Sequence, residues 1–260
     1  MFAKLLKMEF RSTWNILGIL CVSLVGAGLL GGFATRYLAN VEAPEEWLEV
    51  LCVLTVTAVV LFFAVCGAAA LILQIVRFYR SRFTDEGYLT FTLPVGTHQI
   101  LLSSLVSSAV NLIAVAAVAC VSLVLMGLCV IPSMEVLKQG LSFLRQVLPE
   151  IWEQILQTEY LQALGLFLAN FVTTFACELV LVMLAVTIGS LAAKKHKILA
   201  AFAFYYILHI VVYTASGIAL VHLTDTPEGV FGFWAVANLV IAVAGYFLMY
   251  WLVDKRLNLN

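Results

Sequence analysis

Charge is what this chain has least of. Only 11% of its 260 residues are Asp, Glu, Lys or Arg, against about 25% in an ordinary soluble domain. Beside 63% hydrophobic residues and a mean hydropathy of +1.07, so small a charged fraction excludes a water-soluble globular domain. With a net charge of −1 there is no basic surplus to attract nucleic acid. Signature motifs of catalysis are missing too. The sequence has no G-x-x-x-x-G-K-[ST] and no Gly-Lys dipeptide, so it lacks the usual phosphate-binding loop for hydrolysing a nucleotide. It also has no H-E-x-x-H, no G-x-S-x-G and no pair of aspartates within an apolar run, the marks of zinc, serine and intramembrane proteases. No catalytic residue, metal ligand or bound cofactor is therefore expected, and the chain is not read as an enzyme.

The six cysteines (21, 52, 66, 120, 129 and 177) all lie in apolar runs, and none forms a C-x-x-C pair. They are expected as small core residues, not as disulfides or zinc ligands.

What the chain does have is length of apolar sequence. About 20 residues of helix cross a bilayer, and six stretches qualify: about 14–34, 47–78, 98–131, 161–193, 198–220 and 231–253. The expected fold is an all-α polytopic membrane protein, one transmembrane domain over 1–260. Residues 1–13 mix Phe2, Leu5, Leu6 and Phe10 with Lys4, Lys7 and Arg11, the pattern of an amphipathic helix lying in the cytoplasmic interface. The run from Trp14 to Ala34 exceeds the apolar core of a cleaved signal peptide and is read as a retained span. It carries Gly28 and Gly32, a G-x-x-x-G that permits close helix approach and is weak evidence for a dimer face. Thr97 is the expected N-cap of the third span.

Residues 134–160 also recur with helical spacing, through Leu137, Leu141, Leu144, Leu148, Ile151 and Ile155. However, Glu135, Lys138, Arg145, Glu150 and Glu153 argue against burial in lipid. This segment is expected outside the cell, on the membrane surface or on neighbouring spans, with Pro149 kinking or dividing it.

Basic residues then set the orientation. Eleven of the fourteen fall on one side, in residues 4–11, 77–82, 194–197 and 255–256, and only Arg36, Lys138 and Arg145 on the other. By the positive-inside rule both termini are cytoplasmic, as is the loop over 79–97.

Within the spans the one deep acid is Glu178, whose burial in lipid costs about 2.5–3.5 kcal/mol on insertion scales. Either it serves a substrate path or coupling step, or it is a neutral or hydrogen-bonded carboxyl tying the fourth span to a neighbour. Asn111, Asn170, Asn238 and His209 are the other polar candidates, expected to make interhelical hydrogen bonds.

The segment between spans two and three reads RFYRSRFTDEGYLTFTLPVGTH, Arg77 to His98. Its basic residues suit a solvated connection. The apolar cluster Tyr88, Leu89, Phe91 and Leu93 does not, and is expected to be covered by a partner or by lipid. This string, running on into QILLSSL, resembles the first cytoplasmic loop of the permease subunits of type-2 ABC exporters, in the form common in Gram-positive gut bacteria and clostridia. The opening KLLKMEFRSTW is similar to the start of the same permeases, while the later spans share hydrophobicity only.

The resemblance implies a half-transporter in the bacterial plasma membrane, paired with an identical or related permease. Separate cytoplasmic ABC ATPase subunits, carrying ATP and Mg, would drive it to export an amphipathic peptide, lipid or drug. It further implies a short coupling helix that seats in the ATPase: Asp85, Glu86, Gly87, Tyr88, Leu89, Phe91 and Leu93, ended by Pro94. The competing reading is an ATPase-independent membrane protein, either a secondary transporter or an immunity or sensor scaffold. Secondary transporters show paired ionisable groups near mid-membrane or broken spans, and of these only Glu178 is visible in the sequence.

Overall fold

The computed structural model describes residues 2–41, 45–84, 87, 95–131, 134–193, 196–223 and 226–256. Among them run seven long α-helices: α1 Phe2–Asn40, α2 Glu46–Phe83, α3 Thr97–Val130, α4 Met134–Ile155, α5 Thr158–Ala192, α6 Lys197–Leu223 and α7 Pro227–Arg256. All but α4 are long and apolar enough to cross a membrane. In lipid a spanning segment must satisfy its own backbone N–H and C=O groups, which a helix does internally. The chain is an all-α polytopic membrane protein.

Several boundaries differ from the sequence expectation. No break separates an interfacial helix over 1–13 from the first span, because α1 is continuous for 39 residues. Its buried line near the start is Leu5 and Glu9, so those turns pack on protein. Helix α2 likewise continues through Arg80 and Arg82 to Phe83, residues expected in the loop. Pro149 does not divide α4, which runs unbroken past it; the segment expected to reach residue 160 instead ends at Ile155, and Thr158 begins α5. At the start of α3, the Gly96 carbonyl accepts the N–H groups of Gln99 and Ile100 at 2.9 and 3.3 Å. Thr97 is therefore the first helical residue and not the cap, and its hydroxyl donates to Asp254 at 3.4 Å. Helix α7 is capped by Thr226, whose hydroxyl oxygen accepts the Gly229 N–H at 3.2 Å, as N-cap threonines do.

The chain divides into two compact units. One comprises Met1–Glu9, Gln74–Ala109 and Ile155–Asn260. Its axis is α5, the most buried of the spans, against which both α6 and α7 pack. Gly189 lets α5 approach α6 so closely that an added Cβ would meet the Ala201 nitrogen at 2.5 Å. The main core gathers Phe78, Leu101, Met183, Leu184, Met249 and Val253, and a smaller one gathers Cys177, Leu181 and Ala242. The first turn of α3 joins α7 through His98, whose Nδ1 lies 2.7 Å from the Tyr246 hydroxyl.

The other unit comprises Phe10–Leu73 and Val110–Gln154. Its core is thin: Leu24 of α1, Cys66 and Ala70 of α2, and Val115 of α3. Here the G-x-x-x-G finds its partner within the chain. A Cβ on Gly28 would overlap Ser122 of α3, and one on Gly32 would meet the Cys129 Cβ at 2.7 Å. The close approach the glycines permit is made to α3, so the pattern is not evidence for a dimer face. Through it the Ser122 hydroxyl reaches the Leu24 carbonyl at 2.6 Å.

Candidate functional site

Two polar constellations stand out, both in the unit built on α5. The first lies at the root of the loop between α2 and α3. Of the residues expected to form the coupling helix, Asp85, Glu86, Tyr88, Leu89, Phe91, Leu93 and Pro94 lie outside the described residues. Gly87 is described and buried. Its N–H donates to the Thr84 carbonyl at 2.8 Å, and a Cβ there would meet the Arg82 carbonyl oxygen at 2.5 Å. Glycine is what this close turn accommodates.

Beneath it Arg82 is almost fully buried, its side chain 1% exposed. One guanidinium nitrogen donates to Glu9 at 2.9 Å and to the Ile100 carbonyl at 3.0 Å, and the other terminal nitrogen donates to the Ser81 carbonyl at 3.2 Å. Glu9 also accepts from Arg77 Nε at 3.2 Å. One carboxylate thus holds two guanidinium groups and links α1 to α2, while Arg82 links both to the first turn of α3. A buried ion pair is tolerated only when its remaining donors and acceptors are matched. Here a single donor, Arg82 Nε, has no partner among the described residues. Sequence reasoning treated the arginines as solvated orientation signals and passed over Glu9. The available signal was one acid inside the basic opening KLLKMEFRST.

The second constellation is centred on Glu178 of α5. Its two carboxylate oxygens accept hydrogen bonds from Tyr213 at 2.6 Å and Tyr205 at 2.9 Å, both on α6. His209 Nε2 lies 3.4 Å from the oxygen that Tyr213 also reaches. Tyr205, His209 and Tyr213 stand four residues apart, which places them along one helical face. Their rings form a ladder: Tyr205 to His209 at 5.7 Å, His209 to Tyr213 at 4.3 Å, and Tyr213 on to Trp234 of α7 at 5.7 Å. Glu178 is therefore hydrogen-bonded across to α6. Sequence reasoning named Glu178 and His209 separately and missed both tyrosines, though the four-residue spacing through His209 was visible.

Of the other polar candidates Asn238 and Asn111 bond between helices and Asn170 within α5, with Thr174 as an unanticipated centre. Asn238 of α7 donates to the Thr174 hydroxyl at 2.7 Å, and Thr174 donates to Asn170 one turn away at 3.4 Å. Asn111 lies in the other unit, where it donates to Thr13 of α1 at 3.3 Å. Among the described residues no group of three or more His, Cys, Asp or Glu is placed to hold a metal ion.

Compared with models of known protein families, with curated proteins and with solved structures, the chain matches none of them.

Proposed function

We propose that this chain is the membrane-spanning permease subunit of a type-2 ABC exporter. It sits in a bacterial plasma membrane with both termini in the cytoplasm. A second permease, identical or related, completes the path, and separate cytoplasmic ABC ATPase subunits supply the energy from ATP and Mg. The observation that carries this reading is the loop string DEGYLTFTLPV at residues 85–95. Two features agree with it. The six spans carry no phosphate-binding loop of their own, and the helix ends flanking the loop are riveted by Arg82 to Glu9 and Ile100, so that a push on the loop would reach α1, α2 and α3 together. The cargo is an amphipathic peptide, lipid or drug.

The test is affinity purification of the tagged chain in mild detergent, with mass spectrometry of what copurifies. An ATPase carrying a phosphate-binding loop is expected, and it should be lost in the double variant Tyr88→Ala, Leu89→Ala, which remains in the membrane. Reproducible isolation without any ATPase overturns the reading.

One observation favours a second reading, an ATPase-independent secondary transporter. His209 stands beside Glu178 at 3.4 Å, giving α5 and α6 the paired ionisable groups expected of such proteins. Transport by the chain alone in proteoliposomes, without nucleotide, would decide for it.

A further inference from the structure

We propose that Glu178, Tyr205, His209, Tyr213 and Trp234 form a mid-span binding site for a lipophilic organic cation, such as an ammonium, guanidinium or phosphonium group on an aromatic or aliphatic body. The proposal rests on the chain being a transporter and names the chemistry of its cargo.

Depth is the first argument. At about 1.5 Å per residue, roughly 21 Å of helix separates Glu178 from the end of α5 at Ala192. His209 stands at the middle of the span Lys197–Val221. Ionisable groups at such depth are costly against lipid and, as a rule, face a cavity, a path or a partner charge.

Openness is the second. The side chains of Glu178 and His209 are 30% and 41% exposed, unlike Arg82, which the fold closes over completely. The carboxylate is held, yet still reachable.

Charge is the third. No Lys or Arg occurs between Leu161 and Ala193 or between Ile198 and Val253. Glu178 therefore has no permanent counter-charge along these spans, only two phenol donors and an imidazole. A carboxylate offers about four acceptor positions, and these three neighbours, none of them a permanent cation, leave its charge open to a further cation whether or not that cation carries an N–H donor. An anion would be repelled, and a neutral lipid tail has no use for the carboxylate.

The aromatic ladder completes the selection. Rings of His209, Tyr213 and Trp234 rise from the carboxylate toward the start of α7, and π faces attract cations most strongly where water is excluded. Carboxylate and rings together recognise positive charge on a greasy body.

The experiment is equilibrium binding of tetraphenylphosphonium to the purified full-length chain in nonionic detergent, against its near-isosteric anion tetraphenylborate. Saturable binding of the cation alone is expected. Glu178→Gln should weaken it about tenfold or more, since a carboxylate partner is lost, and Trp234→Leu should weaken it a few-fold, each measured on protein that remains folded. Equal affinity in a folded Glu178→Gln variant overturns the proposal, as does saturable borate binding, or an absence of saturable phosphonium binding that leaves the pair as a proton site. Should Glu178→Gln fail to fold, unchanged binding in both Trp234→Leu and His209→Gln overturns it equally. The assay contains no ATPase and no nucleotide, so its failure leaves the permease assignment standing. Loss of that assignment would likewise leave a measured cation site intact.

Discussion

Around Glu178 and Arg82 the helices are joined by long side chains that carry charge or can. Between α1 and α3 in the other unit they are joined by almost no side chain at all: Gly28 and Gly32 against Ser122 and Cys129, with one serine hydroxyl on a backbone carbonyl. Both arrangements answer the same difficulty, that lipid gives helices no hydrophobic reason to associate. Their costs differ. The glycine seam brings dispersion contacts and a neutral hydrogen bond without desolvating a charge. The polar joints desolvate ionisable groups and hold only while every partner is in place. Among the described residues Glu9, Arg77, Arg82, Glu178 and His209, which make charged or chargeable joints between helices, all lie in the first unit, while the α1–α3 seam is neutral.

Substitutions can break or sharpen this contrast. The largest effect is expected from Glu9→Ala, which leaves Arg82 buried with backbone carbonyls as its remaining acceptors. Removing one partner of a buried pair costs about 3–5 kcal/mol, read as a fall in thermal midpoint in detergent. A loss no larger than that of a surface variant would mean water reaches the pair. Next comes Gly28→Leu, which forces α1 from Ser122 and should cost about 1–3 kcal/mol. Its control is Gly18→Leu on the same helix, where a Cβ meets nothing within 4 Å and unfolding should not change. Equal losses in the two would dissolve the seam.

The smallest effects compare one neutral hydroxyl from each unit. Thr174→Val removes the hydroxyl shared by Asn170 and Asn238, and Ser122→Ala removes the bond to Leu24. Each is expected to cost about 0.6 kcal/mol and no more than about 1.7, the range for interhelical bonds in membranes. Parity between them would show that the units differ in their charged joints alone.

The spans were legible because hydropathy is additive along the chain: a run of apolar residues announces itself without knowledge of any neighbour. Boundaries were less so. Arg80 and Arg82 look like loop residues, yet backbone hydrogen bonding carries α2 through them to Phe83, because Glu9, 73 residues earlier, takes up Arg82's charge. Glu178 was visible as an anomaly in CELVLVM, but its partners were not. Tyr205 and Tyr213 lie 27 and 35 residues on, and a tyrosine in a span is ordinary until its hydroxyl is seen to point at an acid. Long-range polar pairs are invisible to any reading that moves one window at a time.

Arg82 also bears on chain continuity. Its guanidinium fastens the last turn of α2 to the first turn of α3 and to Glu9, so the peptide linking those two helices is not what keeps their ends together. A polypeptide nicked between residues 88 and 94 should hold its severed ends in place, and two separately expressed pieces divided there should reassemble. The helix ends on either side would then stay in register without the segment between them.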